Sequence, residues 1–174
     1  VAATRRAILD GIGVMLAASG ESEDVKPFVA LARSQGSTPE ADILGTGERV
    51  SAPLAAFANG AMAHALDYED AFDAAPVHPN ASLLPAALAI AQAQGPVSGR
   101  DFIAAVATGC DLVCRMALAL RQPMEQGGWY PPPILGAFGA TAAASRLLRL
   151  DERQTRDALS LVMCQATCPG EIKY

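Results

Sequence analysis

The chain has 174 residues, of which 51% are hydrophobic and 18% are charged, so it is long enough for one domain with a real core and too short for two comfortable ones. Its formal net charge of −5 and the lack of a basic stripe argue against a nucleic-acid partner. Aromatic residues make up only 5%, so the core is expected to be built from alanine and aliphatic side chains.

The apolar runs are interrupted by charges. The best candidate for a membrane span, residues 102–120, carries Asp111 and Arg115. A transmembrane helix needs about 18 or more apolar residues with few or no charges. We therefore expect no membrane span and a cytoplasmic protein.

Helical periodicity dominates the chain and predicts an all-α fold over a single domain, 1–174. The predicted helices cover about 4–18, 22–36, 51–66, 80–95, 98–120, 134–148 and 151–168. Ser98 with Asp101 and Asp151 with Gln154 are typical N-terminal capping boxes. Glycines in "ILGTGERVS" predict at most one short hairpin, near 41–52.

Two predicted loops contain the unusual chemistry. The first, 67–80, has Asp67, Glu69, Asp70 and Asp73 within seven residues, and the chain's two histidines, His64 and His78, bracket them. The second, 123–133, contains Trp129, Tyr130 and three consecutive prolines, which predict a loop because they cannot lie inside a helix. If the fold brings these loops together, they face one pocket.

The four cysteines form two pairs spaced by four residues, Cys110/Cys114 and Cys164/Cys168. The tighter C-x-x-C spacing that is typical of zinc and iron–sulfur sites does not occur. Buried free cysteines commonly act as small hydrophobic residues. We therefore predict no metal, no cofactor and no disulfide.

The segments "NGAMAHALDYEDAFDAAPVHPNASLLPAALAIA" and "GGWYPPPILGAFGATAAASRLL" resemble, in order and spacing, two motifs of the MmgE/PrpD family, the family of 2-methylcitrate dehydratase. The resemblance implies an all-helical main domain whose smaller lid domain would follow this chain. It implies a metal-independent lyase or isomerase that acts on a small di- or tricarboxylate, commonly as a homodimer.

Carried over onto this sequence, the motifs place Asp67 and His78 in the pocket. The family's threonine position falls on Ala71, its second histidine is replaced by Tyr130, and Pro132 stands where threonine is usual. The family's lysine motif would lie beyond the end of this chain, since Lys173 does not match it.

The predicted catalytic residues are therefore Asp67, His78 and Tyr130. Histidine titrates near neutral pH and can act as acid or base, whereas tyrosine keeps a hydrogen-bond donor but loses an easy proton shuttle. Asp67 is expected to point inward and orient His78, while Glu69 and Asp73 face water, because burying several carboxylates together is costly.

Asp70, Asn80 and Trp129 are the predicted substrate-binding residues, and His64 is expected in the core. The alternative to an enzyme is a non-catalytic, degenerate protein that keeps the fold and the dimer surface. The missing threonine and second histidine favour this alternative, and the retained Asp67 and His78 favour the enzyme.

Overall fold

The predicted all-α fold with one short hairpin is confirmed by a computed structural model, which describes residues 1–36 and 38–173. The helices are α1 Ala2–Glu21, α2 Lys26–Ser34, α3 Ala52–His64, α4 Pro79–Ala93, α5 Gly99–Ala119, α6 Pro131–Leu147 and α7 Glu152–Met163. The strands are β1 Ala41–Ile43 and β2 Glu48–Val50, and short 3-10 helices cover Glu23–Val25, Met124–Gly127 and Gly170–Lys173.

Helix α4 lies at the centre of the domain and contacts α1, α3, α5 and α6. The largest core side chains, such as Met15, Met62 and Leu83, are fully buried between these helices. A smaller apolar cluster, Val77, Val113, Ala117 and Leu135, lies under the loops that follow α3 and α5. The two predicted loops thus rest on the same group of side chains.

The hairpin is tied to α3 and α4 by polar side chains, one buried and one partly buried. Strands β1 and β2 pair antiparallel. The Asn59 side chain on α3 donates to the Asp42 carbonyl and accepts from the Leu44 N–H, both at 2.9 Å. Gln92 on α4 exchanges two further hydrogen bonds with Asp42, at 2.7 and 2.8 Å. These contacts satisfy polar groups that burial would otherwise leave unpaired.

Both predicted helix caps are confirmed. Ser98 Oγ accepts from the Asp101 N–H at 3.1 Å at the start of α5. Asp151 accepts from the Gln154 N–H at 2.8 Å, while the Gln154 side chain accepts from the Asp151 N–H at 3.0 Å. This reciprocal pair is a complete capping box and explains why α7 begins where it does.

Two predicted boundaries are wrong. The seventh helix was predicted to reach about residue 168, but α7 ends at Met163. The other is the start of α6. The three prolines were placed in a loop, but residues 131–133 form the first turn of α6. The first N–H groups of a helix have no partner within the helix, so proline loses nothing by lacking one there. As a result, Tyr130 is the N-cap residue of α6 and its position is fixed by a helix rather than by a free loop.

Helix α5 is long and apolar enough, by length and composition alone, to cross a membrane. It also has an Arg115–Asp111 ion pair at 2.6 Å and buries Val106 and Val113 inside the domain. One face of the helix packs against α4 and α6, and 28% of its apolar stretch is buried inside the domain.

Candidate active site

The acidic segment after α3 begins with a backbone reversal at Asp67. Asp67 has a φ of 56°, an uncommon conformation for a residue other than glycine, and its N–H donates to the His64 carbonyl at 3.2 Å. The Asp67 side chain is exposed. The expectation that it points inward is therefore wrong: the reversal turns it toward the surface.

Glu69 takes the buried position instead. Its side chain is only 3% exposed and contacts His64 Nδ1, and its second oxygen, Oε2, has no hydrogen-bond partner among the described residues. The prediction that Glu69 faces water is wrong, whereas Asp73 is exposed as expected. His64, which was expected in the core, has a side chain that is 52% exposed, and its Nδ1 is the hydrogen-bonding partner of the buried Glu69 carboxylate.

His64, Asp67 and Glu69 form a compact group of possible metal ligands. One nitrogen or oxygen from each residue lies within 4.8 Å of the others. One imidazole and two carboxylates would suit a divalent cation. One oxygen of the Glu69 carboxylate is already engaged by His64 Nδ1, whereas Oε2 has no hydrogen-bond partner among the described residues.

His78 is held by Asp70 and not by Asp67. The Nδ1 atom of His78 lies 2.9 Å from the backbone carbonyl oxygen of Asp70. The Asp70 carboxylate accepts from the backbone N–H and the Nδ2 of Asn80, both at 2.9 Å. Asn80 is 3% exposed, and the hydrogen bonds of these two predicted substrate-binding residues join them to each other and to His78.

Burial also changes the pKa of two groups near His78, the Asp70 carboxyl and the Cys110 thiol. Desolvation raises the pKa of Asp70, and the two hydrogen bonds from Asn80 oppose that change without cancelling it. Cys110 on α5 contacts Asn80 Oδ1 at 3.6 Å, and burial raises the pKa of its thiol to about 12. Cys110 is therefore a neutral thiol that contributes a donor, and not a thiolate nucleophile.

The second loop is ordered by a segment near the end of the chain. The Tyr130 N–H donates to the Cys168 carbonyl at 2.9 Å, and the Gly170 N–H donates to the Gly128 carbonyl at 2.7 Å. Trp129 and Pro169 form an antiparallel bridge. Gly128, with a φ of 78°, allows the sharp turn that precedes this pairing.

The two loops meet, and a cavity of about 360 Å³ lies between them. This volume is within the range of about 300–1,000 Å³ that is usual for small-molecule sites. Three of the residues singled out from the sequence, His78, Trp129 and Tyr130, line it. Asp67 does not line this cavity, although the His64 ring beside it lies 6.3 Å from the His78 ring.

The charge of the cavity is uneven. Glu125 and Glu171 line it, and its described lining contains no lysine or arginine. His78 is the one described lining residue that can carry a positive charge. A neighbouring apolar cavity, also of about 360 Å³, is lined by residues that include Val77, Met124 and Leu135.

The sequence indicates His78, Trp129 and Tyr130, which line the cavity, but not the contacts that Glu69, Asp70 and His64 make around them. The spacing His64-x₄-Glu69 across the end of a helix gave no periodic signal, because the backbone reverses at Asp67 between them. Because the backbone reverses at Asp67, the Glu69 side chain two residues later points back toward the end of α3 and contacts His64.

Fold and cavity together define a helical domain with a histidine at the N-terminus of a buried helix, facing an acidic cleft. The MmgE/PrpD N-terminal domain matches residues 1–172, and the chain belongs to this family. It is 33% identical over 131 residues to a cis-aconitate decarboxylase-like protein of Aspergillus oryzae, a match that covers 71% of this chain and 27% of that protein.

The chain is also similar to two mammalian proteins. The chain is 28% identical over 171 residues to the cis-aconitate decarboxylase of Mus musculus, covering 95% of this chain and 35% of that enzyme. It is 31% identical over 125 residues to the cis-aconitate decarboxylase of Homo sapiens, covering 70% of this chain and 26% of that enzyme. The chain therefore spans about a quarter to a third of the length of these relatives.

Proposed function

We propose that the protein containing this domain is a lyase or isomerase that acts on a small di- or tricarboxylate by proton transfer, without a metal. The observation that carries the proposal is the position of His78: it lines a cavity with Trp129 and Tyr130 while its Nδ1 is engaged by Asp70. Membership of the MmgE/PrpD family and the named activity of the relatives support the reaction class.

Each predicted catalytic residue has a role that its position allows. In a decarboxylation, the protonated ring of His78 would deliver its Nε2 proton to the carbon that keeps the electron pair as CO₂ leaves. In a dehydration or isomerisation, the neutral ring would remove a proton from carbon through the Nε2 lone pair. Tyr130 would donate a hydrogen bond to a developing oxyanion. Asp67 does not line the cavity, so its proposed role is limited to contacting a part of the substrate that extends out of the cavity beside His64.

The experiment is turnover by the natural protein at full length, assayed with cis-aconitate and with 2-methylcitrate. His78→Gln should lower kcat/KM by about a hundredfold or more, since general acid–base groups contribute about 10²–10⁴. Asp67→Asn should lower it less, because Asp67 does not line the cavity. Asp73→Asn is the matched control, because Asp73 is an exposed carboxylate of the same loop. Full activity in His78→Gln would refute the assignment.

Metal independence is tested separately. We expect activity to survive dialysis against a chelator, and elemental analysis to find no stoichiometric zinc, iron or magnesium. Activity that is lost on chelation and restored by one cation would overturn this part of the proposal. His64→Gln would then show whether the group of His64, Asp67 and Glu69 holds that cation.

A non-catalytic member of the family is the alternative, and two observations favour it: Ala71 replaces the threonine and Tyr130 replaces the second histidine that the family motifs predict. Under this alternative the folded protein turns over neither substrate. Ala71→Thr combined with Tyr130→His would then be expected to create activity, whereas in an active enzyme the two changes would only modify it.

Association into a homodimer is part of the same proposal. Leu161 and Met163 on α7 are 71% and 72% exposed, an apolar surface that a partner would cover. Light scattering at micromolar concentration should give a dimer mass. A monomer at that concentration would contradict it.

A further inference from the structure

The atoms around His78 determine which of its ring nitrogens carries the proton. A backbone carbonyl oxygen can only accept a hydrogen bond, so His78 Nδ1, at 2.9 Å from the Asp70 carbonyl, must be the donor. In the neutral imidazole one nitrogen is a donor and the other an acceptor. Neutral His78 therefore has its lone pair on Nε2.

The carbonyl of Asp70 is itself fixed by the side chain of the same residue. Asp70 Oδ1 accepts from the Asn80 backbone N–H and Oδ2 accepts from Asn80 Nδ2, both at 2.9 Å. Asn80 lies in the first turn of α4, and the N-cap residue of that helix, His78, makes no side-chain capping bond. Asp70 thus caps α4 from the preceding loop.

A third contact completes the support. Asn80 Oδ1 faces Cys110 Sγ at 3.6 Å, which ties the first turn of α4 to α5. Asn80 is 3% exposed, so water cannot readily replace these partners. The loop carbonyl, the start of α4 and the middle of α5 therefore form one fixed unit behind the His78 ring.

We propose that Asp70 is a positioning residue: through Asn80 it fixes its own carbonyl against His78 Nδ1 and keeps His78 in the tautomer whose Nε2 serves the cavity lined by Trp129 and Tyr130. The effect of Asp70 on turnover rests on the proposed function, whereas its effect on the tautomer of His78 does not depend on that function. A base with a fixed tautomer and ring orientation loses no fraction of its population to unproductive states.

The direct test is nuclear magnetic resonance of the full-length natural protein with ¹⁵N-labelled histidine, with the His78 signals assigned by their loss in His78→Gln. Above the titration range of the ring, His78 should be protonated at Nδ1 in the wild-type protein. Asp70→Ala should give a mixture of the two neutral tautomers. Asp73→Ala, in the same loop and exposed, should leave the wild-type pattern unchanged.

The kinetic test uses the same variants. Asp70→Ala should lower kcat by about tenfold to a hundredfold with little change in KM, because small misplacements of a catalytic group cost up to about 10²-fold. Asp70→Asn should lie between wild type and Asp70→Ala, since it keeps an acceptor for the Asn80 backbone N–H. Asp73→Ala should keep wild-type kcat.

Several results would overturn the proposal. One is a wild-type His78 protonated at Nε2, and another is a single unchanged Nδ1–H tautomer in folded Asp70→Ala. If circular dichroism shows that Asp70→Ala does not fold, Asp70→Asn decides by the same criterion. If the natural protein turns over no polycarboxylate, the proposed function fails, whereas the tautomer measurement still decides this inference.

Discussion

The crossing of α5 and α6 allows a sharp prediction, because two glycines face each other there. A Cβ atom added at Gly109 would lie 2.6 Å from the Gly139 carbonyl oxygen and 3.4 Å from Ala143 Cβ. These helices carry at their ends the loop with Trp129 and Tyr130.

The expected effect of Gly109→Ala is the sum of two opposing terms. Replacing glycine by alanine within a helix is intrinsically favourable by about 1 kcal/mol. Forcing an extra methyl group into a packed contact costs about 1–3 kcal/mol, and here the obstacle is backbone, which cannot rotate away. We expect Gly109→Ala to be destabilising by up to about 2 kcal/mol.

Gly13 provides the matched control. It is an exposed residue within α1, and a Cβ added there meets nothing within 4 Å. Gly13→Ala should therefore stabilise the protein by about 1 kcal/mol. At about 2–4 °C per kcal/mol for a chain of this size, the two alanine variants should differ in Tm by about 2–12 °C.

Gly139→Ala shows how much of the cost of an added methyl group comes from a neighbouring side chain and how much from the neighbouring backbone. Its added Cβ would lie 2.4 Å from Val113 Cγ2 and 3.0 Å from the Gly109 carbonyl oxygen. Val113→Ala should therefore relieve part of the cost of Gly139→Ala and none of the cost of Gly109→Ala. Urea unfolding followed by circular dichroism measures all of these free energies. Equal stabilisation by Gly109→Ala and Gly13→Ala would refute the close crossing.

Three further effects follow from caps and titrating groups. Because burial raises the pKa of Cys110 to about 12, iodoacetamide at pH 8 should modify the exposed Cys164 long before Cys110, and equal rates by mass spectrometry would contradict this. Burial also raises the pKa of Asp70 above its ordinary value of 3.8, so the contribution of Asp70 to stability is full below pH 3.8 and is lost as the pH rises through the folded-state pKa. In urea unfolding, the stability of wild type relative to Asp70→Asn should therefore fall as the pH rises over this window. A relative stability that rises with pH would contradict the raised pKa. Asp151→Ala should cost about 0.5–2 kcal/mol by removing the cap of α7, and Gln154→Ala should cost less.

The sequence predicted the helices because their apolar spacing and caps are local signals. The caps at Ser98 and Asp151 lie within three residues of their partners, and both were found. The three prolines at 131–133 were predicted to lie in a loop because proline is excluded from a helix interior. Proline is nevertheless suited to the first turn of a helix, and the residue type alone does not show which of the two positions it occupies.

The site was predicted in part, and the division has a physical reason. The residues His78, Trp129 and Tyr130 could be named from the loops in which they lie, and the fold brings them together. The burial of Glu69 and the exposure of Asp67 depend on one backbone angle, the φ of 56° at Asp67. The pattern of residue types did not indicate that angle. As a result, Asp67 was predicted to be buried and Glu69 exposed, the reverse of what the structure has.

The charge of the cavity leads to the last prediction. A di- or tricarboxylate would meet Glu125 and Glu171, and His78 alone among the described lining residues can oppose their charge. Like charges at about 4 Å in water repel by about 1 kcal/mol, which is about a fivefold change in affinity. Glu125→Gln should therefore lower KM by up to about fivefold at low salt without lowering kcat.

Salt provides the control for this interpretation. Exposed charges are screened over about 10 Å at 0.1 M ionic strength, so the advantage of Glu125→Gln should shrink as salt is added. Glu23→Gln, a change to an exposed carboxylate that does not line the cavity, should alter KM little at any salt concentration. A rise in KM or a fall in kcat in Glu125→Gln would show that this carboxylate takes part in binding or proton transfer. His78 would then share the acid–base chemistry with a second group across the cleft.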